Sequence, residues 1–363
     1  LPEWTIPLEF HTPFAIQAKT NQALWTDILI PRDAVSGIYT ATYTIKQNGT
    51  VIKTIPITLN VGKKQLPDSD YFKSAVWFAW ESLNYKHMGG YAENQGSRDD
   101  YKNTVKILRR HRRNTLESRD VPPNPLSTYI ADVISCGSLS GALFTAVNGY
   151  EGPGYNTPQD YYFIKPFGII YNNNWGTDTW QSDPALMQSI LETKANAWGD
   201  FFASKFPNVP HMIYIQDEPG TYQEHPEDWK RAKAVLTAID NITGSGKAMK
   251  TYITANNRYA PDAGVQNMLD YGINCYDVAN NTNDGGSKKR DEAWLALGNG
   301  MINYNTPYAL EASGLDMLLH PLQAYLENEK HIFHWDYEVL YYKYGAGMAG
   351  QQVDVFKDAR NWG

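Results

Sequence analysis

The sequence contains little cysteine and no long apolar run. Cys136 and Cys275 are the only cysteines in 363 residues. They are too few for a disulfide scaffold or a cysteine zinc site, so they form either two buried thiols or one bridge. No stretch of about 18 apolar residues occurs, and we therefore expect no membrane-spanning helix.

Positive charge is scarce as well. The net charge is −7, and the one sustained basic run, at residues 109–113, closes a predicted helix. Cations suit that end of a helix because of the helix dipole. Recognition of nucleic acid needs basic surfaces that neutralise phosphates, so we expect no nucleic-acid partner.

Several catalytic motifs are missing. The histidines are scattered without a His-x-x-x-His pair, and no acidic loop has metal-ligand spacing. Neither a Gly-x-Ser-x-Gly elbow nor a phosphate-binding loop is present. We therefore expect no metal, no cofactor and no serine-based acyl transfer.

Aromatic residues are abundant instead. The chain has 25 tyrosines and 11 tryptophans, a number that suits stacking against sugar faces, although many of these rings must simply belong to the core. Three Asn-x-Thr acceptor patterns begin at Asn48, Asn241 and Asn280, and the chain starts at Leu1 without Met. These features favour a secreted, cell-surface or periplasmic protein.

The length predicts two domains, since 363 residues exceed the usual single-core limit of about 250–300 residues. Residues 1–66 show β-patterning, and Asn48-Gly49 separates two alternating runs at 38–45 and 51–61. Asn-Gly between two such runs is a strong hairpin signal. We predict a small antiparallel β-sandwich domain over residues 1–66.

Residues 67–363 show strands alternating with helices, which indicates a parallel sheet. The helix before the last strand is clear, because one apolar stripe contains Leu315, Leu318, Leu319, Leu322 and Leu326. The alternation of strands and helices predicts a (β/α)8 TIM barrel as the catalytic domain, with its final helical segment lacking after the last strand. The eight predicted strands cover residues 75–80, 114–119, 142–147, 211–218, 250–255, 273–278, 301–306 and 331–336.

Asp217 and Glu218 stand at the end of the fourth predicted barrel strand, directly before Pro219-Gly220. The carboxyl ends of barrel strands open into the active-site mouth. Acids at the end of a buried strand are costly to desolvate, which favours a catalytic role. The alternative is that both acids cap the next helix, because acids also favour helix N-termini.

Other polar and aromatic residues at predicted strand ends would face the same mouth and contact a substrate. Each also has a plain structural alternative, since indoles often belong to the core and asparagine is an ordinary loop residue. The predicted substrate-binding set is Trp80, Glu117, Asn256, Tyr304, Asn305, Trp335 and Asp336.

Paired carboxylates without metal ligands point to glycoside hydrolysis of a carbohydrate substrate. Adjacent acids leave little room for the usual pair on opposite faces of the sugar, about 5–9 Å apart. Substrate-assisted catalysis avoids that difficulty, because the 2-acetamido group of the substrate attacks and the two acids share one side.

The sequence resembles glycoside hydrolase family 123, whose members join a β-sandwich to a TIM barrel. The resemblance lies in the segment 24–61, in Asp217-Glu218-Pro219 after a barrel strand, and in the stretches that begin at Met301 and His331. It implies a retaining N-acetyl-β-hexosaminidase, with β-linked N-acetylgalactosamine favoured. It also implies that Glu218 is the acid/base and that Asp217 orients the acetamido group. The family commonly carries a helical segment after the last strand, and this chain departs from that pattern.

Two other functions remain open from the sequence. One is a two-carboxylate glycosidase of other specificity, in which Asp336 or Glu338 would be the nucleophile. The other is a non-catalytic glycan-binding or surface structural protein on the same scaffold.

Overall fold

The computed structural model describes most of the chain between residues 13 and 352. The described residues are 13–68, 70–78, 95–116, 121–160, 162–164, 183–216, 226–254, 263–275, 295–296, 300–304, 314–326, 329, 331–337, 342–343 and 351–352. The strands are β1 (Gly37–Gln47), β2 (Thr50–Val61), β3 (Lys73–Phe78), β4 (Asn114–Leu116), β5 (Tyr162–Ile164), β6 (His211–Gln216), β7 (Lys250–Thr254), β8 (Tyr271–Cys275), β9 (Gly300–Tyr304), β10 (His331–Tyr337), β11 (Tyr342–Lys343) and β12 (Gln351–Gln352). The α-helices are α1 (Gln95–Arg110), α2 (Ile130–Ser140), α3 (Pro184–Lys205), α4 (Pro226–Asp240), α5 (Ala263–Met268) and α6 (Gly314–Leu326).

The amino-terminal part contains the predicted hairpin. β1 and β2 pair in antiparallel fashion from Gly37↔Val61 to Gln47↔Thr50. Asn48 and Gly49 form the turn with φ angles of 48° and 83°. Positive φ at both central residues is the signature of the type I′ turn, which matches the right-handed twist of paired strands.

The predicted β-sandwich is not shown. Among the described residues 13–68, β1 and β2 form a two-stranded sheet, and no second sheet packs on it. Ile38 is 73% exposed and Val51 is 52% exposed. A single hairpin has no layer above it to bury its apolar side chains, which is why such units are marginal on their own.

The remaining strands confirm the predicted parallel α/β organisation. Eight of them form one sheet in the order β4-β3-β10-β9-β8-β7-β6-β5, and every described pair in it is parallel. The strands from β5 to β10 are neighbours in sequence order, β10 pairs with β3, and β3 pairs with β4. The small β11–β12 pair is antiparallel.

The predicted closed TIM barrel is not shown, because no described pairing joins β4 to β5. Within the described residues, each of these two strands is three residues long.

The third barrel strand was predicted in the wrong place. Within residues 142–147, Leu143 and Phe144 are buried against Tyr101 and Val105 of α1, and residues Ala146–Asn148 form a 3-10 turn. A short apolar run shows burial but does not distinguish a strand from other buried backbone.

Polar side chains bridge β4 and β5 at the amino edge of the sheet. The carboxylate of Asp160, two residues before β5, accepts hydrogen bonds from Lys73 Nζ and Asn114 Nδ2, both at 3.2 Å. The Asp160 backbone N–H donates to Asn114 Oδ1 at 3.0 Å. Arg109 Nη1 lies 3.9 Å from the same carboxylate. Charge-assisted contacts therefore hold the amino ends of β3, β4 and β5 near one another.

The main core lies between β5–β7 and the helices α3 and α4. Trp198 and Phe202 of α3 and Trp229 of α4 are at most 2% exposed, and they pack with Ile213 of β6 and Ile253 of β7. Burying side chains of this size contributes about 1.5–3 kcal/mol each. This half of the sheet is consequently the best anchored part of the described structure.

Helix α6 forms as predicted, but its apolar stripe does not enter a core. Leu315, Leu319, Leu322 and Leu326 are all exposed, whereas Ala324 is fully buried. Cys136 of α2 is buried, and its Sγ lies 3.9 Å from the carbonyl oxygen of Pro123. The side chain of Cys275 lies outside the described side chains. None of the helices in the described ranges is long and apolar enough to cross a membrane.

Candidate active site at the carboxyl edge of the sheet

Because the eight strands are parallel, their carboxyl ends share one edge of the sheet. β6 reaches this edge at Gln216, β7 at Thr254 and β9 at Tyr304. In open and closed parallel sheets alike, ligands bind at the carboxyl ends of the strands. This edge is therefore where a functional site is expected.

Most of the residues predicted from sequence lie outside the described residues. Asp217 follows Gln216 directly in the chain, and Asp217 and Glu218 both belong to the undescribed stretch 217–225. Further predicted contacts that lie outside the described residues are Trp80, Glu117, Asn256 and Asn305. Their proposed roles stay predictions.

Three predicted residues lie on described backbone. Tyr304 is the last residue of β9, and it pairs with Cys275 of β8 and Phe333 of β10. Trp335 and Asp336 are in the second half of β10. The pairing of β10 with β3 shifts register between His334 and Tyr337. The backbone thus places these three residues near the carboxyl ends of adjacent strands, and their role as substrate contacts stays a prediction.

Sequence reasoning missed a buried hydrogen-bond chain on β6 and β7. The hydroxyls of Tyr214 and Thr254 are 2.6 Å apart, and Thr254 Oγ1 donates to the backbone carbonyl of Gln216 at 3.3 Å. Tyr214, Thr254 and Gln216 are 5%, 1% and 7% exposed. Buried hydroxyl groups almost always form hydrogen bonds. The Tyr and Thr residues near the ends of these two buried strands could therefore have indicated a hydrogen bond between them.

The ring of Tyr214 also stacks on Tyr252, the neighbouring residue on β7. The two ring centroids are 4.6 Å apart and the planes differ by 11°. Parallel aromatic pairs of this kind contribute about 0.5–1.5 kcal/mol beyond the area they bury. The stack fixes the orientation of the Tyr214 hydroxyl beneath the carboxyl edge.

Helix α4 holds Gln216 from another direction. Arg231 Nη1 donates to Gln216 Oε1 at 3.3 Å and lies 3.8 Å from Asp228 Oδ1 in the first turn of the same helix. The side chain and the carbonyl of Gln216 are therefore held by two different elements. Gln216 is the residue that immediately precedes the acidic pair in the sequence.

An irregularity in the β6–β7 pairing occurs at the same point. Tyr214 pairs with Tyr252 but Gln216 pairs with Ile253, so one extra residue of β6 is accommodated between them. Such bulges bend a strand and re-aim its side chains, and they are over-represented next to active sites. Here the bulge directly precedes Asp217 in the sequence.

The buried histidines lie at the opposite, amino edge. Burial lowers the pKa of His211, with a partial opposing effect from its hydrogen bond to the Val209 carbonyl. Burial also lowers the pKa of His331 to about 4, with Lys73 lowering it further and Asp160 opposing. Both rings are thus neutral near pH 7 and belong to the packing of the sheet. No three His, Cys, Asp or Glu side chains come together as a metal site within the described ranges.

The fold defines a parallel α/β protein whose candidate site lies at the carboxyl ends of the strands. The structure is similar to that of a family 123 glycoside hydrolase from Clostridium perfringens, studied in glycolipid glycan hydrolysis. The TM-score is 0.55 at 15% sequence identity, and the match covers 90% of this chain and 64% of that one. The chain thus spans less than two thirds of that enzyme's length. At this identity the similarity shows a shared fold and does not assign the chain to that family.

Two more distant structures are similar over large parts of the chain. A family 39 glycoside hydrolase from Bacteroides cellulosilyticus WH2 matches with a TM-score of 0.44 and 13% identity over 83% of this chain and 64% of that one. An endo-β-N-acetylglucosaminidase from Cordyceps militaris matches with a TM-score of 0.38 and 11% identity over 79% of this chain and 87% of that one. Both TM-scores are too low to bear on the fold. No protein-family model matches the sequence, and no curated protein sequence matches it.

Proposed function

We propose that the protein is a glycoside hydrolase that cleaves β-linked 2-acetamido sugars by substrate-assisted, retaining catalysis, with N-acetylgalactosamine as the favoured sugar. The observation that carries the proposal is the position of β6. This strand has parallel neighbours on both sides, ends at the carboxyl edge, and runs in sequence directly into Asp217-Glu218-Pro219. The fold shared with a glycoside hydrolase that acts on glycolipid glycans supports the same substrate class.

The proposed chemistry uses the two acids in different roles. Glu218 donates a proton to the glycosidic oxygen as the bond from the anomeric carbon to that oxygen breaks. The acetamido oxygen of the substrate forms a bond to the anomeric carbon, and Asp217 orients the acetamido group and stabilises its developing positive charge. Glu218 then removes a proton from water, which attacks the anomeric carbon as the bond from that carbon to the acetamido oxygen breaks. The sugar is released with its acetamido group restored and its configuration retained.

The predicted contacts fit this scheme. Tyr304, Trp335 and Asp336 lie near the carboxyl ends of β9 and β10, on the same edge of the sheet as the end of β6. We propose that they form one wall of the sugar pocket, together with Trp80, Glu117, Asn256 and Asn305. We also propose that the sheet closes into a barrel and that a sandwich over residues 1–66 precedes it. The protein itself is proposed to be secreted, periplasmic or exposed at the cell surface.

The decisive variant is Glu218→Gln, which removes the transferable proton while preserving shape. We expect kcat on 4-nitrophenyl 2-acetamido-2-deoxy-β-galactopyranoside to fall by about 10²–10⁴-fold, with an unchanged unfolding transition. The matched variant Asp217→Asn should still lose activity when the leaving group is very good, because the acetamido group must be oriented whatever the leaving group is. A Glu218→Gln protein with wild-type activity would rule out the proposed mechanism.

The two alternatives predict different outcomes on a glycoside panel. A two-carboxylate glycosidase would hydrolyse a glycoside with a plain 2-hydroxyl about as fast as its acetamido counterpart. A glycan-binding protein would turn over none of the glycosides but would bind glycans on an array. Turnover restricted to acetamido substrates, together with inhibition by an N-acetylhexosamine thiazoline, would support the substrate-assisted reaction.

A further inference from the structure

The segment before the β1–β2 hairpin exposes a run of large apolar side chains. Trp25 is 77% exposed, and its Nε1 donates a hydrogen bond to Asp27 Oδ1 at 2.9 Å. The other apolar residues of this segment are between 45% and 55% exposed, and they are Leu24, Ile28, Leu29 and Ile30. Contiguous exposed apolar surface of this kind marks a place where another surface binds.

This segment lies against the hairpin. The Tyr43 hydroxyl of β1 donates a hydrogen bond to the hydroxyl of Thr26. A groove of about 430 Å³ runs between residues 26–29 and the two strands, and Ile57 and Leu59 of β2 are among the residues that line it. The segment and the hairpin therefore present one connected surface.

The closed end of the hairpin carries lysines beside exposed apolar residues. Val51 is 52% exposed and Ile52 is 58% exposed. Lys46 pairs across the ladder with Val51, and Lys53 pairs with Ile45, so Ile52 is the extra residue at the register shift. Both lysines are exposed. Cationic and apolar side chains are therefore neighbours at this end.

Residues 13–66 are basic within an acidic chain. They contain six lysine and arginine residues and two acidic ones, whereas the whole chain has 32 and 39. Arg32 pairs with Asp68. In the part of the chain that the structure describes, no carboxylate forms an ion pair with the five lysines of this region. Their charges are therefore available to attract an anionic partner.

We infer that residues 13–66 bind the surface of an anionic lipid bilayer. Tryptophan and aliphatic side chains enter the boundary between headgroups and acyl chains, and lysines beside them attract the negative headgroups. A soluble polyanion would engage the lysines but leave the apolar side chains in water, so a lipid surface matches both features. This inference goes beyond the proposed catalysis and uses none of its residues.

The test is co-sedimentation of the full chain with phosphatidylcholine vesicles that contain either no phosphatidylserine or about one third of it. We expect binding to the mixed vesicles that weakens as salt is added, because ions screen the headgroup charge. Leu29→Ser should weaken this binding about 5- to 10-fold through lost apolar insertion. The matched control is Leu322→Ser, because Leu322 of α6 is 52% exposed and Leu29 is 54% exposed. This control should leave binding unchanged.

A double lysine variant tests the electrostatic part. Lys46→Gln with Lys53→Gln removes two charges from the hairpin end, and we expect binding to the mixed vesicles to weaken about 10- to 30-fold and to depend less on salt. Lys205→Gln with Lys247→Gln is the matched control, since both of these lysines are exposed and lie outside residues 13–66. It should leave binding unchanged. Far-UV circular dichroism of each variant checks that the fold is retained.

Several results would overturn the inference. One is a wild-type protein that does not bind the mixed vesicles, and another is an equal loss of binding in Leu29→Ser and Leu322→Ser. Binding to heparin without binding to vesicles would assign the lysines to a soluble polyanion instead. A dimer that forms without lipid in analytical ultracentrifugation, and that Leu29→Ser abolishes, would assign the surface to a second copy of the chain.

Discussion

The helix-covered half of the sheet and the β1–β2 hairpin are built from similar residues but reach opposite degrees of burial. In the first, Trp198, Ile213 and Ile253 are fully buried between β5–β7, α3 and α4. In the second, Ile38 is 73% exposed, and Trp25 in the segment before the hairpin is 77% exposed. The difference shows that apolar patterning produces a core only where a second layer covers it.

The two regions also differ in how their backbones are held. The hairpin is fixed by its local turn and its ladder, both of which are encoded by contiguous residues. The covered half depends on contacts between distant segments, such as the approach of α3 to the Ser245–Ala248 turn. Substitutions in the two regions should therefore differ in their effect on stability, even when the residue type is the same.

The largest difference is expected for a matched pair of tryptophans. Trp198→Ala removes a fully buried side chain and should lower the free energy of unfolding by about 3–5 kcal/mol through lost burial and cavity formation. Trp25→Ala removes a mostly exposed ring whose Nε1 donates to Asp27 at 2.9 Å, and it should cost no more than about 0.5 kcal/mol. Urea denaturation of both variants measures how much each substitution lowers the free energy of unfolding. Equal losses would contradict the assignment of the core to the covered half.

A glycine pair gives a smaller effect that tests close packing. A methyl group at Gly199 of α3 would meet the Ser245 carbonyl carbon at 2.5 Å, whereas at Gly37 of β1 nothing lies within 4 Å. We expect Gly199→Ala to cost about 1–3 kcal/mol through overpacking. Gly37→Ala should change the free energy of unfolding by less than about 1 kcal/mol, in either direction. Thermal unfolding of both proteins under one set of conditions provides the measurement.

The smallest expected effect concerns the pH dependence of the unfolding free energy, to which His331 of β10 contributes. His331 has a folded-state pKa of about 4, below the ordinary value of 6.5 because of burial. The unfolded chain therefore takes up a proton on this ring first, so stability is highest above pH 6.5 and falls as the pH drops toward 4. Between pH 7 and 5.5 the loss should be about 1 kcal/mol.

This pH effect is measured by urea denaturation at several pH values, with one histidine variant as the control. His331→Gln should remove this part of the pH dependence. An NMR titration that gave His331 an ordinary pKa would contradict the prediction.

Much of the fold was predictable because local patterns encode it. Asn48-Gly49 specified its turn, and the alternation of strands with helices specified a parallel sheet in chain order. The run from His211 to Gln216 was correctly identified as a buried strand that delivers the chain to Asp217. Each of these features depends on a handful of contiguous residues, so no knowledge of distant contacts was needed.

Other features were beyond sequence reasoning because they depend on distant segments. The strand predicted at 142–147 is a turn packed against α1, and β5 occupies its place in the sheet. The Leu stripe of α6 was recognised, but no pattern could say whether another layer covers it. The Tyr214–Thr254–Gln216 chain joins residues 38 and 40 positions apart, and only the pairing of β6 with β7 makes them neighbours.

The sequence by itself determined the hairpin, the parallel order of the strands and the position of two acids after β6, since each follows from turn chemistry, periodicity or adjacency along the chain. Tertiary structure alone decided which apolar faces are covered, how far the sheet closes and what holds Gln216. These outcomes depend on packing and hydrogen bonds between segments that are far apart in sequence. No local window of residues contains those interaction energies.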